Sequence, residues 1–188
     1  MEYVEALRDI KQINAIKRFL KKQSDRDYVL FVFGINTGLK ITEMLSIKVE
    51  DIMTEQSCIK SYYSWVPKEG ESTKEVFLNE TVQKILFLYI QSANLKSEDY
   101  LFLSKKTKMP ITRQQAYRII SQAAAQVGIK GKIGTNSLRK TFGFHAYKRG
   151  VAISLLQKHF NHSNPSETLK YLGISKNEDI KTQIDVRL

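Results

Sequence analysis

A single cysteine, Cys58, occurs in the 188 residues, so neither an internal disulfide nor a multi-cysteine zinc site can form. Prolines number three, and Pro67, Pro110 and Pro165 all fall between the periodic stretches rather than inside them. Long apolar runs are missing too. The longest, Tyr28 to Ile35, is far short of the ~18 residues that a membrane-spanning helix needs. The first residues, MEYVEALRDIKQ, are charged and offer no apolar leader, so the expectation is an intracellular, cytoplasmic protein. The most informative absence is of negative charge: from Asp99 to Glu167 no acid intervenes, against twelve Lys or Arg. The net charge of +11 is therefore concentrated in one stretch. Such a stretch suits a polyanion, and without a membrane segment the expected polyanion is nucleic acid rather than lipid. Within it Lys105, Lys106, Lys108, Arg113, Lys140, Lys148 and Arg149 are the candidate DNA contacts.

At this length one domain with a real core is the economical description, with 42% hydrophobic and 26% charged residues. Ile10, Ile13, Ile16, Phe19 and Leu20 recur at helical spacing after Asp9, a suitable N-cap, and predict a helix ending near Gln23. A second helix runs from about Asp25 to Gly38, which suits a left-handed stop. Residues 57–65 and 75–78 are rich in β-branched and aromatic side chains, flank a polar Gly-containing stretch, and predict a hairpin with Lys68 and Lys74 in or beside its turn. Asn79 caps a helix striped by Val82, Ile85, Leu86 and Tyr89. Thr112 and Gln115 form a capping box for a helix ending at Gly128. Helices at about 136–149 and 152–160 follow, then Asn164-Pro165 and a short helix that ends at Gly173. The fold expected is α+β, mostly helical, with a small antiparallel sheet.

Three residue types in this region suggest chemistry. Arg139 can grip a phosphate with its planar fork, and His162 can donate a hydrogen bond or carry a proton. Tyr171, nine residues after His162, could attack a phosphodiester, given positive charge for the phosphate oxygens and a donor or base beside the reacting atoms. Each has a plainer reading, since a Tyr in an apolar helical pattern is usually core. His145 is expected to be a structural histidine, His159 to lie on a helix surface, and Glu43 to orient a neighbouring base.

Taken together, "TGLKITEML" at 37–45, "NSLRK" from Asn136, "FNH" ending at His162, and Tyr171 resemble the boxes of the tyrosine recombinases, the phage-integrase and Xer-type family, over residues 28 to 173. Arg139, His162 and Tyr171 match that pattern. Lys40 stands where the family has arginine, and Asn136 where it has histidine. The resemblance implies a catalytic domain in which Tyr171 forms a 3′-phosphotyrosine, Arg139, His162, Lys40 and Asn136 surround the phosphate, and a hairpin lysine serves the leaving oxygen. Lys68 is the closer match for that lysine and Lys74 its rival. No metal or other cofactor is implied. A helix within about 1–24 and a tail at about 174–188 complete a single catalytic domain, 1–188, without separate core-binding or arm-binding domains, and the tail could dock on a second copy. Phage or mobile-element DNA integration and recombination is the expected role. A recombinase-derived DNA-binding protein that does not cut, and a helix-turn-helix regulator using residues 136–161, stay open as alternatives.

Overall fold

The computed structural model describes residues 4–65 and 73–175. Helix α1 (Ile10–Gln23) starts at Asp9, whose carboxylate accepts from the Lys11 N–H at 2.7 Å, and buries Ile13, Ile16 and Leu20. Ile10, on the same predicted stripe, is exposed at the first turn. Helix α2 (Asp25–Thr37) is capped by Ser24 and apolar around its circumference, with every residue from Val29 to Gly34 buried. A helix without a polar face belongs at the centre of a bundle. Accordingly α2 packs on α1, on α5 (Glu80–Ser92) and on α7 (Thr135–Lys148).

Two short helices, α3 (Ile41–Leu45) and α4 (Val49–Ile52), lead to the hairpin of β1 (Tyr62–Trp65) and β2 (Lys74–Phe77). Its antiparallel register pairs Tyr62 with Phe77 and Trp65 with Lys74. Tyr63 and Val76 face the core, while Tyr62 and Phe77 stack outside it with ring centroids 5.3 Å apart. The first strand starts later than its composition predicts because a tight turn at 54–58, with Ser57 at φ 60°, leaves residue 59 only an isolated bridge to Met53. Lys68 lies outside the described residues.

Helix α6 (Arg113–Gln126) opens with the predicted Thr112–Gln115 capping box. One core gathers α2, α3, α5 and the hairpin; another gathers α1, α2, α6 and the start of α7. A smaller cluster of Phe144, Leu156, Phe160, Leu172 and Ile174 joins α7 to α8 (Ile153–Phe160) and α9 (Pro165–Leu172). Segment 4–8 runs across these elements. Leu7 N–H donates to Thr141 Oγ1 (2.8 Å), His145 Nε2 contacts Leu7 O (2.9 Å), and Arg8 donates to Gly173 O (2.6 Å). His145 thus has the structural role expected of it.

Gly38 closes α2 at φ +64°, and a β-carbon there would overlap the Phe142 ring and approach His159 Nε2 to 3.0 Å. Gly38→Ala should therefore destabilise the fold by about 2–4 kcal/mol, combining the ~1–2 kcal/mol of a left-handed non-glycine residue with overpacking. A urea unfolding midpoint equal to that of the parent would contradict this.

Candidate active site

Arg139, in the middle of α7, is only 5% exposed. Its guanidinium donates to Gly38 O at 2.5 Å and to Phe160 O at 3.0 Å, and lies 4.5 Å from the centroid of the Phe160 ring. The two acceptors are the terminal carbonyls of α2 and α8, where helix dipoles present partial negative charge. Burial works against the cation, while Tyr171 and Glu43 work for it. The sequence puts an arginine at this buried position, and the backbone turns it into a fixed one.

Beside it opens a cleft of about 700 Å³, whose lining includes Lys40, Glu43, Trp65, Lys74, Lys158 and His159. Lys40 is exposed at the N-terminus of α3, and its N–H donates to Glu43 Oε2 at 2.6 Å, so the buried Glu43 supports the turn, where its expected role was to orient a neighbouring base. Lys74 enters the cleft from β2, and its ammonium pKa is pushed down to about 8 by burial and by the charges of Arg139 and Lys40, against Glu43. Of the two candidate hairpin lysines, Lys74 is the one that the described residues bring to Arg139.

His159 corrects the expectation of a surface residue. Its Nε2 is buried against the end of α2, its ring packs on Phe142 at 5.0 Å, and burial, with Lys74 and Arg139, holds its pKa down to about 3 while the backbone of Thr37 and Gly38 acts the other way. The signal was in the sequence: Leu156, His159 and Phe160 are spaced i, i+3, i+4 and share the inward face of α8.

On the far side of Phe160, helix α9 carries Tyr171 to the same arginine. The Tyr171 ring lies 5.5 Å from Phe160 and 5.0 Å from His162, centroid to centroid. Burial pushes its pKa up, whereas Arg139 opposes the rise through charge and a hydrogen bond. His162 is held below its ordinary pKa by burial and by Arg139, with Glu167 acting the other way. Arg139, His162 and Tyr171 thus form one cluster around Phe160, with Lys40 and Lys74 across the cleft. Asn136 is exposed on the first turn of α7, one turn before Arg139, and does not line the cleft.

The basic residues divide by position. Lys105, Lys106 and Lys108 are exposed in a tight turn closed by Ser104 and Met109, and Arg113 is exposed at the start of α6 beside Tyr117 and Arg118. Lys140 departs from its expected role as a DNA contact, because it is buried, donates to Val4 O at 2.9 Å and lies 5.1 Å over the Tyr171 ring. Lys148 and Arg149 are exposed at the other end of α7, about 20 Å from Asn136 at 1.5 Å per residue. Arg149 borders an apolar groove there. No helix among the described residues is long and apolar enough to cross a membrane.

Residues 7–178 match the model of the phage integrase family. The chain is 37% identical over 177 residues to "Probable integrase/recombinase YoeC" of Bacillus subtilis (strain 168), covering 94% of this chain and 93% of that protein. Its fold is similar to the crystal structure of XerA recombinase, with a TM-score of 0.74 at 19% identity, over 93% of this chain and 61% of that one. The post-cleavage complex of XerH site-specific recombinase with palindromic difH substrate gives a TM-score of 0.71 at 17% identity, over 89% of this chain and 49% of that one. The chain thus spans nearly all of YoeC but about half to three-fifths of these two structures.

The cleft electrostatics can be checked directly. Lys74 should titrate near pH 8 in the folded protein, more than two pH units below an ordinary lysine, and Glu43→Gln should lower that value further by removing the charge that favours the ammonium. Side-chain NMR titration measures both. Because the unfolded chain binds the proton more tightly, this group adds stability as pH rises from about 8 toward 10.5.

Proposed function

Because the chain belongs to the phage integrase family, the tyrosine recombinases, we propose that it cleaves and rejoins double-stranded DNA at specific sites, with Tyr171 as the nucleophile. The Tyr171 oxygen bonds to the scissile phosphorus, the bond from phosphorus to the 5′ oxygen breaks, and that oxygen leaves as a hydroxyl after taking a proton from Lys74. The product is a 3′-phosphotyrosine. Attack by the 5′-hydroxyl of another strand reverses the step and releases Tyr171, so the phosphodiester's energy is conserved in the covalent bond. Arg139, His162 and Lys40 supply positive charge to the phosphate oxygens, and no metal or cofactor is invoked. Lys68 remains the alternative donor. The single observation that carries the reading is the convergence of Tyr171, His162 and buried Arg139 on Phe160, from α9, the connection between α8 and α9, and α7.

The exposed cations at 105–108 and Arg113 provide phosphate contacts, each weakening with salt at a log–log slope of about −0.9. Lys148 and Arg149 extend the basic surface at the far end of α7. Residues 1–188 act as the catalytic domain, in the cytoplasm with the phage or mobile-element DNA served. Lys40 keeps the charge of an arginine but loses its two-pronged grip, and exposed Asn136 donates without being chargeable. Weakening one transition-state contact by the amount typical of a lost oxyanion donor slows cleavage by about 10²- to 10³-fold. These two residues are what favours the second reading, a DNA-binding relative that occupies sites without cutting.

A nicked suicide duplex carrying the natural junction separates the two. The parent should form a denaturant-resistant protein–DNA adduct, and Tyr171→Phe should abolish it while leaving DNA affinity within about twofold, because the ring that packs on Phe160 is retained. Absence of any adduct from the parent would favour the non-cutting reading; an adduct from the Phe variant would move the nucleophile elsewhere.

Self-association on DNA through the C-terminal tail completes the proposal. Its support is a groove of about 590 Å³ bordered by exposed Ile10, Phe77, Val151 and Leu155, with Lys17 and Arg149 among its lining. Residues 176–188 offer an apolar complement in sequence, Ile180, Ile184 and Val186. Leu155→Asp or truncation after Ser175 should each reduce assemblies of two or more copies on a duplex to single copies in sedimentation. Unchanged assembly in both variants would rule the tail out.

A further inference from the structure

His162 is held at every point but one. Its backbone N–H donates to Gln157 O at 3.0 Å, and its carbonyl accepts from Gln157 Nε2 at 3.2 Å. The preceding Asn161 closes α8 in the left-handed conformation, which turns the histidine back toward α9. The imidazole lies against Phe160 at 5.5 Å and Tyr171 at 5.0 Å, centroid to centroid. Nδ1 is 3.0 Å from Thr168 Oγ1. Among the described residues, only Nε2 has no protein partner.

Thr168 determines which nitrogen carries the proton. It is completely buried on α9, one turn before Tyr171, and its Oγ1 is also 3.4 Å from Asn164 O. A threonine hydroxyl has one proton, and a carbonyl oxygen only accepts. Both contacts are hydrogen bonds in one arrangement alone: the hydroxyl donates to Asn164 O, and Nδ1–H donates to Oγ1. The reverse arrangement would face two oxygen lone pairs across 3.4 Å at a part-buried contact and leave the Asn164 carbonyl only the Thr168 N–H, also at 3.4 Å. The neutral ring therefore keeps its proton on Nδ1 and presents a lone pair at Nε2.

We propose that His162 is the base that takes the phenolic proton of Tyr171, and that Thr168 is the positioning residue that sets the required tautomer. This rests on the reading of Tyr171 as the nucleophile. The proton passes from the Tyr171 oxygen to Nε2 as the bond from that oxygen to phosphorus forms. The resulting imidazolium, with N–H on both nitrogens, then stands beside the phosphate as a cation, and it returns the proton to Tyr171 when a strand hydroxyl displaces the tyrosine. The leaving 5′ oxygen is served separately by the hairpin lysine, so every proton has a source and a destination. Burial and Arg139 favour the neutral ring that a base requires, with Glu167 opposing. Asn136, lacking a titratable nitrogen, cannot take this part. Base and nucleophile are thereby coupled through one short helix.

The test reads the tautomer and the chemistry separately. With three histidines in the chain, long-range ¹H–¹⁵N spectra of ¹⁵N-histidine-labelled full-length protein resolve the ring nitrogens of His162. The parent should show the proton on Nδ1. Thr168→Val, close in shape but without an acceptor, should move it toward Nε2 and slow adduct formation on the suicide duplex by roughly 10- to 100-fold, within the range of general-base contributions. Thr168→Ser should restore both the Nδ1–H tautomer and most of the rate, which a purely packing role would not require. A parent ring protonated on Nε2, or a tautomer unmoved in the Val variant, overturns the role of Thr168. A moved tautomer with an unchanged rate overturns the base role of His162. If the parent forms no adduct at all, the recombinase reading and the base role fail together, while the spectra still decide the Thr168 hydrogen bond.

Discussion

The geometry of this protein's site depends on one buried guanidinium. Arg139 is an expensive residue to bury, since an uncompensated cation in a protein interior costs several kcal/mol, and it is retained because two helix C-termini, at Gly38 and Phe160, turn their carbonyls toward it. Those bonds use donors on both terminal nitrogens and fix the plane of the guanidinium. They also tie three elements together, the end of α2, the middle of α7 and the end of α8. Phe160 contributes twice, through its carbonyl and through the ring under the cation, and the same ring meets both Tyr171 and His162. Positioning of the tyrosine is thus a consequence of how the arginine is buried.

Cations dominate the cleft, and their mutual repulsion explains the protonation states around them. Lys74 and His159 are both pushed toward neutrality first by loss of solvent and then by their charged neighbours. Among the described residues Glu43 and Glu75 are the carboxylates lining the cleft, and the hydrogen bond of Glu43 to the Lys40 N–H leaves it structurally occupied. A cleft of this kind is electrostatically incomplete until an anion enters it. A phosphate would relieve the repulsion among Lys40, Lys74 and Arg139, so binding and proton affinity at Lys74 are linked: an anion raises the ammonium's pKa as it arrives.

Segment 4–8 gives the site a second layer of support. It contacts α7 through Thr141 and His145 and the end of α9 through Gly173, so the helix bearing Tyr171 is held from the side opposite Phe160 as well. Lys140, a basic residue in a basic stretch, is recruited into this support rather than into the exposed basic surface. Position in the chain gave it the same expectation as Lys105 or Arg113, and only the packing of the N-terminal segment separates them.

Local signals in the sequence were enough for the longer helices, though not for the short α3 and α4, because caps and left-handed glycines act within a few residues: Asp9, Ser24, Asn79, Thr112 and Asn164 cap as side chains of their type should, and Gly38 and Gly173 end helices at positive φ. The sequence by itself also determined the chemistry available, a buriable arginine, a histidine and a tyrosine at family spacing within a stretch poor in acid. What only the tertiary structure decided was which of several equivalent side chains face one another. Lys74 reaches the cleft because hairpin register pairs it with Trp65. His159 turns inward because α8 packs its Leu156–Phe160 face on α7, and Thr168 meets His162 because the Asn161 turn folds α9 back along α8. Each of these depends on contacts between residues brought together by chain reversal. Composition and periodicity, which describe neighbours along the chain, carry no record of them.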